Sequence, residues 1–353
     1  MQTLSNTGIL SGVNNKRSPR LEDVARAADV SLATASRALA ESRLVHQETQ
    51  ERVREAAAML GYVPHGIARA LASRRSRTIG AVLPTIDNPI FATAAQTLAR
   101  ELASASYTLL VASHEYDDDA ELAVTRALIE RGVDGLMLVG LDHTPELFHT
   151  VKQAGVPYEL SWALDESGYH HCTGFSNREA SFRSTQHLLD LGHRRFAVLS
   201  GYTRSNDRAR ERLAGVRDAL AARRIELPEE RIVETSFSLH SGSAALNSIW
   251  ERCGRDSFTA LVCGNDLLAV GALLACAARG VAVPQSLSVV GYDDIELASE
   301  FVPALTTIHV PSAEIGQRAA QRLLARIAGK REPRVHEIPA ELIVRSSTAP
   351  PAN

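Results

Sequence analysis

The sequence predicts a small all-α head followed by an α/β core of two lobes, each built on a parallel, doubly wound sheet. Residues 21–60 show short helical patterns with few large apolar residues. From Thr78 onward, runs of Val, Ile and Leu of strand length alternate with segments of helix length. The charge also changes sign near this point. Residues 1–77 hold 12 Lys and Arg against 7 Asp and Glu and are therefore basic, whereas the whole chain has a net charge of −3.

The composition fits this division and excludes several classes of protein. A chain of 353 residues that is 45% hydrophobic can form two or three domains with proper cores. A basic head on an acidic remainder indicates a polyanionic partner for the head only. No apolar run approaches the roughly 20 residues of a membrane helix, and residues 1–20 lack the apolar stretch of a secretory signal. We therefore expect a cytoplasmic protein with no membrane contact, and a disordered arm over residues 1–20.

Residues 21–60 predict three helices with a tight turn between the first two. The first helix, LEDVARAA, carries its apolar residues on one face: Leu21, Val24, Ala25 and Ala28. Ser31 is placed to cap the second helix after a turn at Asp29 and Val30. The third helix, TQERVREAAAML, directs Val53, Ala57 and Leu60 inward and stops at Gly61. Such an arrangement resembles a helix-turn-helix.

The second helix buries little, since only Ala35, Ala38 and Leu39 face inward. Its other face is small and polar, and in a helix-turn-helix this helix enters the major groove of DNA. Short hydroxyls there can bond phosphates or base edges, and Arg37 can reach guanine or a phosphate. The residues concerned are Ser31, Leu32, Ala33, Thr34, Ser36 and Arg37. An ordinary surface helix with an incidental arginine is the alternative.

The segment YVPHGIARALASRRSRTIGAV connects the head to the first strand. Its helical part, IARALAS, is too short to be stable alone because helix nucleation is costly. Two copies could pair in the minor groove, with Leu71 wedging a base step and the arginines contacting phosphates. A flexible basic linker is the other interpretation, and the pattern leaves both open.

Seven buried-strand runs follow: TIGAVLP, YTLLVAS, VDGLMLVG, VPYELSW, RRFAVLSG, TALVCGND and LSVVGYDD. They exceed what one small sheet needs, so we expect two lobes with a change of lobe near Gly174. HVPSAEIGQRAAQRLLARIAG predicts a late helix, and HEIPAELIVRSST predicts the final strands.

A ligand between such lobes would lie at the carboxyl ends of the strands. Asp87, Asn88 and Phe91 follow the first strand, and Trp162 follows the fourth. Further candidates come from the second lobe: Arg212, Phe237 and Asp266. A carboxylate at a strand end can accept sugar hydroxyls, an arginine can reach across, and aromatic rings can stack on a sugar or a flat base. The aromatic residues can also be core residues, and Asp266 can be a helix cap.

Other chemistry is poorly supported. His170, His171 and Cys172 are adjacent, so on a strand they would point to opposite faces and could not share a metal. The serines lack a positioned His and Asp pair, and no Walker motif or glycine fingerprint follows a strand. We expect no metal, no cofactor and no catalysis.

Several segments, in order, resemble the LacI/GalR family of bacterial transcription regulators: LEDVARAADVSLATASRAL, TQERVREAAAMLGYVPHGIARAL, RTIGAVLPTIDNPIFA, LGHRRFAVLSG, RERLAGVRDAL, CGNDLLAVGALLA, VPQSLSVVGYDD and PALTTIHVP. The resemblance covers about residues 21–346. It implies a homodimeric repressor with a helix-turn-helix domain over 21–64, a hinge helix and linker over 65–77, and a periplasmic-binding-protein-like core over 78–349. Lobe 1 would comprise about 78–173 and 309–331, and lobe 2 about 174–308 and 332–349. Its partners would be double-stranded operator DNA and a small effector, most simply a sugar or sugar acid.

The resemblance also assigns residues. Leu32 and Ala33 occupy the positions that vary operator choice, and the hinge residues Ile67 and Leu71 would contact the minor groove. Family members use the positions of Phe91, Arg212, Phe237 and Asp266 for effector contact, while Trp162 falls where purine-sensing relatives carry an aromatic.

Departures from the family pattern occur at Asp29, His46, His65 and Gly66. Asp29 stands at a turn where glycine is usual, and an aspartate tolerates the left-handed conformation at modest cost. Gly66 costs about 1 kcal/mol of helix stability relative to alanine, so we expect the hinge to order only on DNA.

Two rival functions remain. A solute-binding receptor of a transport system would share the two-lobed core but requires export. An enzyme acting on a sugar or nucleoside requires an acid–base pair in the cleft. Within the regulator class, a co-repressor-type response to a purine-like ligand also stays open.

Overall fold

The computed structural model describes residues 17–39, 44–63 and 75–352. The chain divides into two compact units, residues 1–76 and residues 77–353, and each is considered by itself. The expected arm lies largely outside the described residues, and so does most of the expected hinge, with Ile67 and Leu71.

The smaller unit contains three helices, α1 (Leu21–Ala27), α2 (Leu32–Leu39) and α3 (Gln47–Leu60). They pack around a core of small side chains that are at most 5% exposed: Val24, Ala25, Ala28, Ala35, Ala38, Val53, Ala56 and Ala57. The predicted inward faces of the first two helices are confirmed. The prediction that Leu60 faces inward is wrong, because this residue is 40% exposed on the last turn of α3 and Ala56 occupies the core instead.

Local signals set the boundaries of these helices. Asp29 adopts a left-handed φ of 49°, as expected for the turn between α1 and α2. Ser31 caps α2, since its Oγ accepts a hydrogen bond from the Thr34 backbone N–H at 3.1 Å. Gly61 ends α3 with a φ of 65°. His46 precedes α3 and provides no side-chain cap.

The larger unit alternates strands and helices, numbered along the chain. Its first half contains β1 (Thr78–Leu83), α4 (Pro89–Ser104), β2 (Thr108–Ser113), α5 (Asp118–Glu130), β3 (Gly135–Val139), α6 (Pro145–Gln153), β4 (Tyr158–Ser161) and β5 (Cys172–Gly174). Then follow α7 (Asn177–Asp190), β6 (Phe196–Gly201), α8 (Asp207–Ala222), β7 (Ile232–Thr235), α9 (Leu239–Cys253), β8 (Ala260–Cys263), α10 (Asp266–Ala278) and β9 (Ser288–Asp293). The chain ends with α11 (Glu296–Glu300), β10 (Thr306–His309), α12 (Ser312–Ile327), β11 (Val335–Glu337) and β12 (Glu341–Ile343).

These strands form two six-stranded sheets. The first has the order β11-β5-β4-β3-β1-β2 and is parallel throughout. The second has the order β12-β10-β9-β8-β6-β7 and is parallel except for β12, which runs antiparallel to β10. All seven predicted runs contain strands, and each sheet has apolar clusters on both faces. The predicted pair of doubly wound lobes is confirmed.

The chain passes between the lobes three times: after β5, after β10 and after β11. The last passage corrects an expectation, because residues 332–349 do not all belong to the second lobe. Val335–Glu337 pairs in parallel with Cys172–Gly174 in the first sheet. The physical reason is that α12 covers the first sheet, and a helix returns its chain most readily to the sheet that it covers. Arg322 on α12 reinforces this return by donating to the carbonyls of Pro333 and Arg334.

Within the described residues, no helix combines the length and the apolar character needed to cross a bilayer.

Candidate DNA-binding helix and candidate effector pocket

Helix α2 presents a largely exposed face. Leu32 is 47% exposed, and Ala33 and Arg37 are also exposed, while Thr34 and Ser36 are half-buried. The Thr34 hydroxyl lies 2.8 Å from the Ser31 hydroxyl, so capping holds both at the start of the helix. The six predicted residues of this segment therefore lie together, with small side chains that allow close approach to a groove and one arginine that can extend from it.

The second candidate site lies between the two lobes, at the carboxyl ends of both sheets. Three helices begin there, α4 from the first lobe and α8 and α10 from the second. Their caps are Asn88, Asn206 and Asn265, and in each the side-chain oxygen accepts a backbone N–H of its own helix at 2.9–3.3 Å. Each cap therefore commits its oxygen to the helix and has an NH₂ group for other partners. The NH₂ group of Asn88 donates to Asp293 at 3.3 Å.

These caps line a small cavity of about 20 Å³ between the lobes. The remaining walls are aromatic, cationic and aliphatic: Ile90, Phe91, Tyr116, Trp162, Arg208, Ala209, Arg212 and Phe237. We call this cavity the inner pocket. Phe91 and Trp162 meet edge to face, with ring centroids 5.1 Å apart. Five of the predicted candidates are thus brought together here, namely Asn88, Phe91, Trp162, Arg212 and Phe237.

A larger hollow of about 420 Å³ lies outside the inner pocket and shares some of its walls, including Asn88, Tyr116 and Phe237. Asp87 is exposed and lines this outer hollow rather than the inner pocket. A ligand confined to the inner pocket would therefore not contact Asp87.

Arg212 is held rigidly beside the inner pocket. It donates to the Asn177 side-chain oxygen at 2.9 Å and to the Gly264 carbonyl at 2.7 Å. Its guanidinium lies 3.7 Å from the centre of the Tyr292 ring, and one of its nitrogens is 3.8 Å from Asp293. Burial raises the pKa of Asp293 to about 6, although Arg212 and Asn88 favour its ionised form.

Arg208 is a pocket residue that the sequence analysis missed. It lies four residues before Arg212, on the same face of α8, and is 7% exposed. Its Nη1 donates to the Val139 carbonyl of the first lobe at 3.0 Å and to Asp207 at 2.9 Å. The four-residue spacing of Arg208 and Arg212 in the sequence could have indicated that both face the pocket. The caps Asn206 and Asn265 were missed as well, although an asparagine before a helix is a recognisable start signal.

Two residues that line the inner pocket have a buried donor without a hydrogen-bond partner. Trp162 is fully buried and its Nε1 has none, and the same holds for the Nδ2 of Asn265, which is 1% exposed. Trp162 also has a left-handed φ of 62°, which is costly for an aromatic residue. Unsatisfied buried donors cost about 1–3 kcal/mol each, so both are suited to satisfaction by a ligand.

Asp266 does not fit its predicted place. It is 0% exposed, does not line the inner pocket, and accepts hydrogen bonds from the Thr307 hydroxyl at 2.6 Å and the Ile295 N–H at 2.9 Å. Burial, reinforced by Asp293, raises the pKa of Asp266 well above its ordinary range. Nor is it the cap of α10, because Asn265 has that role. Because Asp266, the first residue of α10, turns inward, its neighbour Asn265 lines the cleft instead.

A second group of contacts joins the lobes beside the pocket. The Leu141 N–H donates to Asp207 at 3.0 Å, and Arg210 holds Asp142 through two nitrogens, one at 2.7 Å. Gly140 has a φ of 92°, and a Cβ there would overlap Arg208 and Asp207. These contacts hold the lobes close together around the inner pocket.

Comparison with known proteins agrees with both parts of the chain. Residues 20–65 match the lacI family of bacterial regulatory proteins, and residues 185–348 match the periplasmic binding protein-like domain. The class defined by the fold and the pocket is therefore a transcription regulator that joins a helix-turn-helix head to a ligand-binding core.

Individual relatives extend the match over nearly the whole chain. The transcriptional repressor PurR of Aliivibrio fischeri (strain MJ11) is 34% identical over 330 residues, which are 93% of this chain and 97% of PurR. The lac repressor dimer bound to operator and the anti-inducer ONPF is similar in structure, with a TM-score of 0.82, 28% identity and coverage of 94% and 100%. The regulator CelR in complex with cellobiose has a TM-score of 0.69, 29% identity and coverage of 93% and 99%. The chain belongs to the lacI family of bacterial regulatory proteins.

Proposed function

We propose that this protein is an operator-binding repressor whose affinity for DNA is controlled by a small effector in the inner pocket. The observation that carries the proposal is the small pocket between the lobes, which is lined by Trp162 and Asn265, two residues whose buried donors lack partners. Burying donors in this way is unfavourable unless a ligand completes their hydrogen bonds. The exposed face of α2 would contact the DNA, and binding of the effector would change the affinity of the protein for that DNA.

On DNA, two copies of the chain would read a pseudo-palindrome with their two heads. Leu32 and Ala33 offer no hydrogen bond, so their readout would be apolar contact, for instance with a thymine methyl. Ser31, Thr34 and Ser36 would bond the backbone or base edges, and Arg37 a guanine or a phosphate. The hinge residues Ile67 and Leu71, which lie outside the described residues, would enter the minor groove. The operator-bound dimer of the lac repressor supports this arrangement.

The effector we propose is a sugar or a sugar acid. Aromatic rings of Phe91, Trp162 and Phe237 can cover the apolar face of such a molecule, and Arg212 can bond its oxygens. The cellobiose complex of CelR supports a sugar-like ligand in this fold. A purine-like co-repressor is the second candidate, favoured by the same aromatic walls and by the 34% identity to PurR.

Control of DNA binding requires that effector and operator change each other's affinity by the same factor, typically about 1–3 kcal/mol. An inducer would favour an arrangement of the lobes that opposes pairing of the two hinges, and a co-repressor would favour the opposite one. We also propose that the protein has no enzymatic activity and acts in the cytoplasm, where operator DNA lies. Among the described residues that line the inner pocket there is no carboxyl group to form an acid–base pair.

The DNA side is tested by operator binding. Duplexes selected from a random pool with the full chain supply the operator, and fluorescence anisotropy then measures its affinity for variants. We expect Arg37→Ala and Leu71→Ala each to weaken binding by about 10-fold or more, since a base or phosphate contact contributes about 1–3 kcal/mol. Arg54→Ala, an exposed arginine on α3, is the charge-matched control and should change the affinity little. Unchanged binding by both variants would reject the docking.

A further inference from the structure

We propose that the effector is an organic anion, a hydroxylated carboxylate such as an aldonic acid, and that Arg208 determines this specificity. The proposal rests on the proposed function, because it concerns the ligand of the same pocket. It narrows that ligand to the acid and adds a residue that neither the sequence analysis nor the family resemblance assigned.

The first argument is the balance of donors and acceptors on the pocket wall. Two guanidinium groups line it, those of Arg208 and Arg212, and so do the three capping asparagines. No Asp or Glu occurs among the lining residues that the structure describes. Because each asparagine oxygen already accepts a bond from its helix, the wall offers mainly N–H groups. A carboxylate accepts hydrogen bonds and donates none, so it matches such a wall.

The second argument is the convergence of helix N-termini. Helices α4 and α8 have 16 residues each and α10 has 13, and all three begin at the pocket. A helix N-terminus carries partial positive charge and favours an anion beside it. All three therefore favour the same sign of charge at one place.

The third argument comes from the buried atoms without partners, and it is independent of the helices. The Nε1 of Trp162 and the Nδ2 of Asn265 are both donors of residues that line the pocket. A ligand that satisfies them must supply acceptors. Asp293 Oδ1 also lacks a hydrogen bond, but it lies 3.8 Å from Arg212 and the residue does not line the pocket.

A neutral sugar fits this wall less well. Each of its hydroxyls donates as well as accepts, so it needs carboxylate or carbonyl acceptors. Asp266, which could have supplied one, is turned inward and bonded to Thr307 and Ile295. Asp207 and Asp293 lie beside the two arginines, outside the lining of the inner pocket, and there they hold the guanidinium groups in place. The inner pocket would hold the carboxylate, and the hydroxyl groups of a sugar acid would extend into the outer hollow of about 420 Å³.

Arg208 has a further property that suits a specificity residue. It belongs to α8 of the second lobe, but its Nη1 donates to the Val139 carbonyl of the first lobe. A guanidinium has five N–H donors, so it can hold Val139 and Asp207 and still bond a carboxylate. An anion on Arg208 would therefore be bound only when the lobes are close together, which ties the charge of the ligand to closure of the cleft.

The ligand class is tested with the full chain and a matched panel. Thermal shift and calorimetry compare D-gluconate and other aldonates with D-glucose and D-sorbitol, which have the same carbon count without the charge, and with hypoxanthine. We expect at least one aldonate to raise the Tm and to bind measurably, and its neutral counterparts to do neither. Binding of a neutral sugar or of hypoxanthine in preference to every aldonate, or no binding by any acid, overturns the proposal.

The role of Arg208 is tested with the acid that binds. We expect Arg208→Gln to weaken its affinity by about 10- to 100-fold, because charge-assisted hydrogen bonds to a carboxylate are lost. Arg208→Lys should retain part of the affinity, and Arg217→Gln on the outer face of the same helix is the charge-matched control. The double change of Asp207→Asn with Arg208→Gln leaves no unpaired carboxylate, so a loss of affinity in a double variant that keeps the wild-type Tm is not a folding defect. Equal affinity of Arg208→Gln and the wild type overturns the assignment.

The failures of the two proposals are distinguishable. Operator binding, measured both with and without each ligand, reports the DNA-binding function. If the operator is bound and a neutral sugar or a purine changes that binding, the regulator stands and the anion proposal falls. If an aldonate binds but operator affinity stays constant, the ligand class stands and the control function falls.

Discussion

At the scale of single residues, the pocket depends on charges whose neighbours set their protonation. Asp293 is 2% exposed at the end of β9, and burial raises its pKa to about 6 while Arg212 opposes the shift. Near neutral pH its negative charge offsets part of the positive charge of Arg212. Whether that offset is present therefore depends on pH in the physiological range.

This gives a pH dependence with a defined sign. The folded pKa of Asp293 lies above the ordinary value of 3.8, so the residue takes up a proton as pH falls through about 6. An aldonate keeps its own charge there, and with Asp293 neutral it should bind about 3- to 10-fold more tightly at about pH 5.5 than at about pH 7.5. Calorimetry at both pH values measures this. In Asp293→Asn the difference should vanish, and a difference of equal size in the variant would contradict the assignment.

Neighbouring residues also differ in how far they could be predicted. Asn265 and Asp266 both mark the start of α10, and pattern alone does not say which one faces the cleft. At the start of α10, Asn265 lines the pocket, whereas Asp266 bonds Thr307 on β10, 41 residues away in sequence. Arg208 was overlooked for a similar reason, since a second arginine on a helix is usually a solvated surface charge.

At the scale of elements, α12 shows how one helix is tied to the sheet that it covers. Glu159 on β4 is 0% exposed, and its Oε1 accepts bonds from Arg322 at 2.5 Å and from Thr173 at 2.8 Å. Arg326 approaches the other oxygen at 3.5 Å. Burial raises the pKa of Glu159, and Arg322 acts in the opposite direction. Arg322 also holds the segment that leads to β11, so it couples the helix to two strands.

Removing Arg322 should therefore be costly. Arg322→Met leaves Glu159 buried without its closest cation, and we expect the free energy of unfolding to fall by about 3–5 kcal/mol. Arg318→Met on the exposed side of the same helix should cost less than about 1 kcal/mol. Urea unfolding of the full chain, followed through the transition of the larger unit, measures both. Adding Glu159→Gln to Arg322→Met should restore part of the loss, and similar effects of the two arginine variants would count against the buried pair.

At the scale of the whole larger unit, ligand affinity depends on how closely the two lobes approach. Asp142 of the first lobe and Arg210 of the second form an ion pair outside the inner pocket, with side chains 29% and 46% exposed. Pairs at this exposure contribute little individually, but this one joins the lobes only when the cleft is narrow. It therefore favours the arrangement in which Arg208 reaches Val139.

Breaking the pair of Asp142 and Arg210 should weaken binding of the effector, although neither residue lines the inner pocket. We expect Asp142→Ala to lower effector affinity by about 2- to 5-fold, the range that a partly exposed ion pair supports, and to increase the radius of gyration of the ligand-free protein. Calorimetry and small-angle X-ray scattering measure the two effects. Asp218→Ala removes a pair with Arg178 that lies within the second lobe, so it should leave both quantities unchanged. If Asp142→Ala bound the effector as tightly as the wild type, the approach of the two lobes would not determine effector affinity, and the prediction would be contradicted.

The sequence by itself determined the elements of this protein: the three helices of the head, the seven buried runs and the late helix α12. These depend on apolar periodicity and on caps such as Ser31 and Gly61, which act over a few residues. Only the tertiary structure decided that β11 joins the first sheet, that Asp266 turns inward and that Arg208 faces the pocket. These outcomes depend on contacts between segments far apart in the chain, such as Arg208 with Val139, 69 residues away. Local pattern specifies which residues form an element, whereas packing between elements specifies which of its side chains meet a ligand.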